Sequence, residues 1–327
     1  MTDFWNDNPE LEARLERVVA VIEASIDSHG FPLKGAVAAA AESNGKLLRP
    51  ALLIIGSSFG RASVPRRIED LAAAVELLHL ATLVHDDIID EAPIRRGRPS
   101  LHASLGVKQA ILAGDWLFSR CFLLSSESAE SENARALARL IAAVCSAEIS
   151  QDMAKYHYSA SVRSYFRTIA GKTAALFSLA LHVGATEAKA GAPIAGTLRR
   201  AGYDIGMAFQ VIDDILDFES AEDIIRKPVG RDIAEGLCTL PLIYALQADR
   251  TSIEEILSRG SLRGEAVSAE TAAAVAARAI ELGGPARARE DARRFTSRAL
   301  TEINRLPASS ARDELGRLAE RLLHRGY

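Results

Sequence analysis

Apolar positions recur at the helical period along most of the chain. After Asn8, Pro9 stands in a favoured first-turn position, and Leu11, Leu15, Val18 and Ile22 then form an i, i+4, i+7, i+11 stripe. The stretch 65–90 opens at Pro65 and puts Leu71, Val75, Leu78, Thr82 and Asp86 on one stripe, with Leu77, Ala81, Val84 and Ile88 on the adjoining face. A helix apolar nearly all round belongs at the centre of a bundle. Segments 106–127, 131–155, 161–185 and 193–219 repeat the pattern. Shorter amphipathic helices are predicted at 239–249, 268–282, 285–305 and 309–324, separated by Gly- or Pro-bearing turns such as Gly283-Gly284-Pro285. No strand alternation and no long linker interrupts them. The pattern predicts one all-α domain over residues 1–327, a bundle of about a dozen helices.

Composition sharpens this in three ways. Ala and Leu dominate the apolar residues, as in helical rather than sheet proteins. A net charge of −4 gives no basic footprint, so nucleic acid is not an expected partner. Cys121, Cys145 and Cys238 are odd in number and widely spaced, which reads as reduced thiols of a cytoplasmic protein. The acidic start Met1-Thr2-Asp3-Phe4-Trp5 does not read as a signal peptide, and no stretch approaches the roughly 20 continuous apolar residues of a membrane span.

The chemistry lies in an internal echo. One apolar helix ends in Asp86-Asp87-Ile88-Ile89-Asp90 and another in Asp213-Asp214-Ile215-Leu216-Asp217. Positions i and i+4 share a helix face, so Asp86 projects with Asp90 and Asp213 with Asp217. Like charges so placed destabilise a helix by about 0.2–0.5 kcal/mol per pair, a cost that a bound cation removes. Hard oxygen donors without patterned His or Cys suit Mg²⁺, which takes one or two carboxylates and completes its shell with phosphate oxygens and water. With 18 aspartates in the chain, chance supplies roughly 0.05 such motifs, so two are not solvated faces or caps by accident. Basic residues flank both clusters: Lys46 and Arg49, Arg95 and Arg96, and Lys227 with Arg231. Arginine forks and lysine charges beside acidic metal clusters are what a diphosphate requires.

In these blocks the sequence resembles the all-trans isoprenyl diphosphate synthases. The likeness runs from about residue 40 to 250 through Gly45-Lys46-x-x-Arg49-Pro50, Glu76-Leu77-x-His79, His85-Asp86-Asp87-x-x-Asp90, Arg95-Arg96-Gly97, Gly114-Asp115, Gly171-Lys172-Thr173, Phe209-Gln210-x-x-Asp213-Asp214-x-x-Asp217 and Lys227-Pro228-x-Gly230. The resemblance implies an all-α homodimer whose two Asp clusters face a central cavity. It implies that Asp86, Asp87, Asp90, Asp213 and Asp217 hold Mg²⁺, with Asp214 supporting. Arg95, Lys172 and Lys227 would contact an allylic diphosphate, while Lys46, Arg49, His79 and Arg96 would bind isopentenyl diphosphate. Thr173 and Gln210 would attend the developing allylic cation, and with Lys172 they form the expected catalytic set.

The sequence departs from the family pattern at Asn44 and Leu47, where many members have Gly and Arg, and at Leu237, where many have Lys. Short-chain members carry an aromatic four or five residues before the first Asp, whereas this chain has Thr82 and Ala81, with Leu78 one level deeper. Small residues there imply a long product, because each 5.4 Å helical turn admits about one more isoprene unit. Such a product is lipid-soluble and implies transient membrane contact. Two other readings are a class I terpene cyclase, against which the second Asp-Asp-x-x-Asp run counts, and the catalytic subunit of a heteromeric synthase. His85 and Cys238 lie in matched blocks without an assigned role.

Overall fold

A computed structural model of the chain describes residues 3–27, 33–41, 46–62, 64–95, 97–219, 230–260 and 266–324. The helices are α1 (Pro9–Asp27), α2 (Lys34–Ala41), α3 (Leu48–Ser57), α4 (Pro65–Ile89), α5 (Leu101–Leu105), α6 (Val107–Ser128), α7 (Ser131–Asp152), α8 (Val162–Ile169), α9 (Ala175–Glu187), α10 (Ala192–Glu219), α11 (Arg231–Ala234), α12 (Leu240–Ala248), α13 (Arg250–Gly260), α14 (Ala269–Glu281), α15 (Gly284–Ile303) and α16 (Ser310–Leu323). A π-helical turn, Ala170–Ala174, joins α8 to α9. The long helices stand where the periodicity predicts them. Those that periodicity passes over, α2, α3, α5, α11 and α13, run for 11 residues or fewer, too short to show several turns of a stripe.

The segment after the first Asp cluster also differs from expectation. Rather than an irregular run to Pro99, it folds as a two-stranded hairpin, β1 (Ile94–Arg95) against β2 (Arg98–Pro99), with Ile94 opposite Pro99. Strands of two residues carry no alternation for a sequence pattern to reveal.

The chain divides into two compact units, residues 1–137 with 179–196, and residues 138–178 with 197–327. In the first unit α4 is the central element, with Leu71 to Leu78, Ala81 and Val84 buried on all sides. Its neighbours are α1, α3 and α6. The α1 stripe foreseen from sequence is buried, and Asn8 Oδ1 accepts the Leu11 amide at 3.1 Å as its cap. Backbones meet closely where α3 crosses residues 181–184: a Cβ on Gly56 would stand 2.5 Å from the Leu181 carbonyl oxygen, and one on Gly184 would stand 2.0 Å from that of Leu53.

The second unit holds two apolar clusters. One gathers Tyr165, Ile169, Val211, Ile212, Ile215 and Leu240 with Ala288 and Ala292 of α15. The other surrounds Phe218, Ile233, Leu242 and Ile253 with the inner face of α14. Ser161 caps α8 reciprocally with Ser164, a pairing that fixes where the helix begins.

One helical run, Val162–Glu187, is long and apolar enough by length and composition to cross a bilayer, and 56% of its most apolar window is buried within the protein.

Candidate active site

In the first unit the Asp86–Asp90 run occupies the last turn of α4, whose Pro65 start and apolar body set the position of its end. Asp86 and Asp90 are half-buried, whereas Asp87 is buried. The Asp87 carboxylate accepts Arg95 Nη1 at 3.1 Å, so the hairpin following the cluster is tied back to it. His85, unassigned from sequence, lies beside α6: its Nε2 is 3.5 Å from Asp115 Oδ1 and 3.4 Å from the Ile111 carbonyl. Its ring packs at 5.6 Å on Phe118. That approach uses the bare Cα of Gly114, where a Cβ would come 2.2 Å from His85 Nε2.

Lys46 and Arg49 are half-buried at the start of α3. Sequence reasoning missed what holds this segment. The fully buried Trp5 donates its indole N–H to the Lys46 carbonyl at 2.7 Å, and the Lys46 ammonium sits 5.1 Å over the Phe4 ring. The only sequence signal was two adjacent aromatics near an acidic terminus. His79 is half-buried, and its carbonyl accepts the Thr82 hydroxyl at 2.8 Å. Ala81 and Leu78 are buried completely. Arg96 and Lys227 lie outside the described residues.

In the second unit Asp213, Asp214 and Asp217 lie near the end of α10, and only Asp213 is exposed. Asp214 is held by the Tyr165 hydroxyl at 2.6 Å and by Gln210 Nε2 at 2.8 Å. Gln210 Oε1 in turn accepts the Thr173 hydroxyl at 2.7 Å. Lys172 pairs with Glu148 at 2.9 Å, and the π-turn carries both Lys172 and Thr173. Asp217 Oδ2 accepts the Asp232 amide at 3.1 Å.

Asp232 is a second residue that sequence reasoning did not single out, although it closes the Gly230-Arg231-Asp232 segment. Burial first, and then the charges of Asp217, Asp214, Glu235 and Asp213, raise its carboxyl well above the ordinary range. Burial likewise pushes Asp214 up to about 7, against the hydrogen bonds from Tyr165 and Gln210, with Asp213 and Asp217 adding repulsion. Asp217 is pushed up to about 6 by burial, opposed by backbone N–H groups of Asp232 and Arg231.

This donor set fits a hard divalent cation. It is all oxygen, anionic and crowded, and a cation placed there would relieve the repulsion that now raises these carboxyls. Among the described residues no three His, Cys, Asp or Glu side chains converge as a ready-made cage. That agrees with an ion that borrows much of its shell from substrate and water. The open cavity lined by Arg199, Asp204, Arg298 and Glu302 contains none of these residues.

Comparison with known proteins fits this geometry. Residues 32–275 match the polyprenyl synthetase family. Heptaprenyl diphosphate synthase component 2 of Geobacillus stearothermophilus is 35% identical over 317 residues, 96% of each chain. The all-trans-nonaprenyl-diphosphate synthase (geranyl-diphosphate specific) of Rhodobacter capsulatus is 33% identical over 87% of this chain and 86% of its own. Among solved structures, geranylgeranyl pyrophosphate synthase from Lactobacillus brevis superposes with a TM-score of 0.90 at 32% identity, covering 98% of this chain and 99% of that one. The Caulobacter crescentus polyprenyl synthase complexed with calcium and isoprenyl diphosphate gives 0.89 at 30% identity, covering 96% and 95%. The chain therefore belongs to the polyprenyl synthetase family, within its all-trans, long-chain type, and is a prenyltransferase whose substrates are isoprenyl diphosphates.

Proposed function

We propose that the chain condenses isopentenyl diphosphate with an allylic diphosphate such as farnesyl diphosphate, in the presence of Mg²⁺, to give a medium- or long-chain all-trans polyprenyl diphosphate. The observation that carries the reading is the second carboxylate cluster, which adjoins the Thr173–Gln210–Asp214 chain of hydrogen bonds. Asp86, Asp90, Asp213 and Asp217 are the residues to hold Mg²⁺, with Asp87 and Asp214 beside them. Bound Mg²⁺ supplies charge that stabilises the departing diphosphate. Arg95, Lys172 and Lys227 bind the allylic diphosphate oxygens, while Lys46, Arg49, His79 and Arg96 hold isopentenyl diphosphate close to the reacting carbon. Thr173 and Gln210 present oxygen dipoles to the allylic cation as it forms. The double bond of isopentenyl diphosphate attacks that cation, and loss of a proton leaves a chain one isoprene unit longer.

Small residues at Ala81 and Thr82 and a buried Leu78 support a long product, as do the relatives named for heptaprenyl and nonaprenyl products. The chain acts as one catalytic domain in the cytoplasm, meeting membrane transiently to release product. It pairs as a homodimer, which is supported by the exposed apolar face of α6 at Val107, Ile111, Leu112, Phe122 and Leu123. A second reading is favoured by the word "component" in the name of the Geobacillus relative: the chain is then the catalytic subunit of a heteromeric synthase.

Incubating the purified chain with Mg²⁺, farnesyl diphosphate and labelled isopentenyl diphosphate tests both. Elongated product from the chain alone supports the stand-alone enzyme. Product only after a second subunit is added supports the heteromer, and no product with any allylic primer in either case refutes the reading. Chelation with EDTA should abolish turnover, and Mg²⁺ should restore it.

A further inference from the structure

Tyr165 is buried on α8, with its ring 5.6 Å from Phe166. Its hydroxyl has one polar destination on the page, Asp214 Oδ2 at 2.6 Å. The other oxygen of that carboxylate takes Gln210 Nε2 at 2.8 Å, and Gln210 Oε1 takes the Thr173 hydroxyl at 2.7 Å. The four side chains thus form a relay with a direction. A carboxylate oxygen accepts and has no proton to give, so the Gln210 amide must turn its NH₂ toward Asp214. Its carbonyl end is then fixed on the Thr173 side.

The direction has a chemical consequence. The negative end of an amide dipole stabilises a cation, and the positive end repels one. A glutamine free to rotate by 180° would spend part of its time with the wrong end forward. We propose that Tyr165, through Asp214, is a positioning residue that locks the polarity of the Gln210 amide and the Thr173 hydroxyl toward the allylic cation. The proposal rests on the reading above that Thr173 and Gln210 attend that cation. Tyr165 itself touches neither substrate nor metal; it holds the Asp214 carboxylate in the one orientation that both Gln210 and its own hydroxyl can use.

Tyr165→Phe removes only the hydroxyl and keeps the ring contacts. Two unreactive ligands report on the relay without turnover: an allylic diphosphate analogue with an ammonium nitrogen in place of the reacting carbon, and an uncharged thiolo analogue. Calorimetry in Mg²⁺ should show the variant binding the ammonium analogue about 10- to 100-fold more weakly, the range typical of supporting hydrogen bonds. The thiolo analogue should bind as it does to wild type. In steady state kcat should fall by a similar factor, with KM for both substrates held.

Equal weakening of both analogues, or an unchanged preference for the ammonium, overturns the proposal. If circular dichroism shows Tyr165→Phe to be unfolded, Asp214→Asn serves in its place, since an Asn side chain can face Gln210 with either end and should lose the same discrimination. A wild-type chain that binds the analogues but makes no product refutes the enzymatic reading, while the calorimetric comparison still decides the relay.

Discussion

The imidazole of His85 rests on the bare Cα of Gly114, so closely that a single methyl group there would stand 2.2 Å from Nε2. Because Asp86 is the next residue, the fit of α6 against α4 sets where the first carboxylate cluster begins. Gly114→Ala is therefore expected to force the ring out and to destabilise the fold by about 1–3 kcal/mol, as overpacking does. Turnover should fall with it. Adding His85→Ala should recover part of the unfolding temperature, and a double variant no more stable than Gly114→Ala alone would show that the clash is not the cause.

Ala81 offers a test of product length. Its side chain is wholly buried on α4, one turn before the Asp cluster. Ala81→Phe should shorten the products by one or more isoprene units, given about one unit per helical turn, while condensation survives. The ring must also be accommodated, at a cost of about 1–3 kcal/mol in thermal or denaturant unfolding. Unchanged chain length on chromatography would place the floor of the product site at other residues.

How much of this was legible beforehand follows from what each feature asks of the chain. The long helices and the α4 stripe could be read because burial repeats every three or four residues over many turns. The Asp motifs could be read because their spacing is local, i to i+4, and too rare for chance. The Asp87–Arg95 pairing and the hairpin beneath it could not, since two-residue strands leave no period. Tyr165 and Trp5 were invisible for a different reason. Each acts on a residue 41 or more positions away, and a single sequence gives no signal for such a partner. Asp232 sat in a quoted block, but only the fold brings it to Asp217.

Phe4 and Trp5 give the third prediction. Phe4→Ala should raise KM for isopentenyl diphosphate by about two- to five-fold with kcat nearly unchanged, the effect of losing a cation–π contact of about 0.5–1 kcal/mol on Lys46. Trp5→Ala should instead lower the unfolding stability by about 3–5 kcal/mol, because the indole is fully buried. Kinetics and melting curves on the two variants separate the roles. A Phe4→Ala enzyme with wild-type KM would dissociate the ring from substrate binding.

Asp204 gives a pH dependence remote from the reaction. Burial pushes its carboxyl from 3.8 up to about 6, with Glu302 adding and Arg298, at 3.1 Å, opposing. The native state thus holds the proton more tightly than the unfolded chain. This contribution to stability is complete below about pH 4 and is lost as pH rises through about 6. The displacement corresponds to roughly 3 kcal/mol. Asp204→Asn should remove that loss, so the variant should gain on wild type in denaturant titrations between pH 4 and pH 7. Parallel stability curves for the two proteins across that range would contradict the assignment.

The π-turn at Ala170–Ala174 bears on how this chain tolerates change in length. A widened turn holds one residue more than an α-turn, and along a helix each residue advances the direction of a side chain by about 100°. Deleting Gly171 would close the turn into ordinary α-helix and swing every later side chain by that angle. Phe177 would then leave its partner Phe209, 5.2 Å away, and Lys172 and Thr173 could not both keep Glu148 and Gln210. The extra residue acts as a phase shifter, and a single-codon deletion here would be felt as a rotation of the helix rather than as the loss of one glycine.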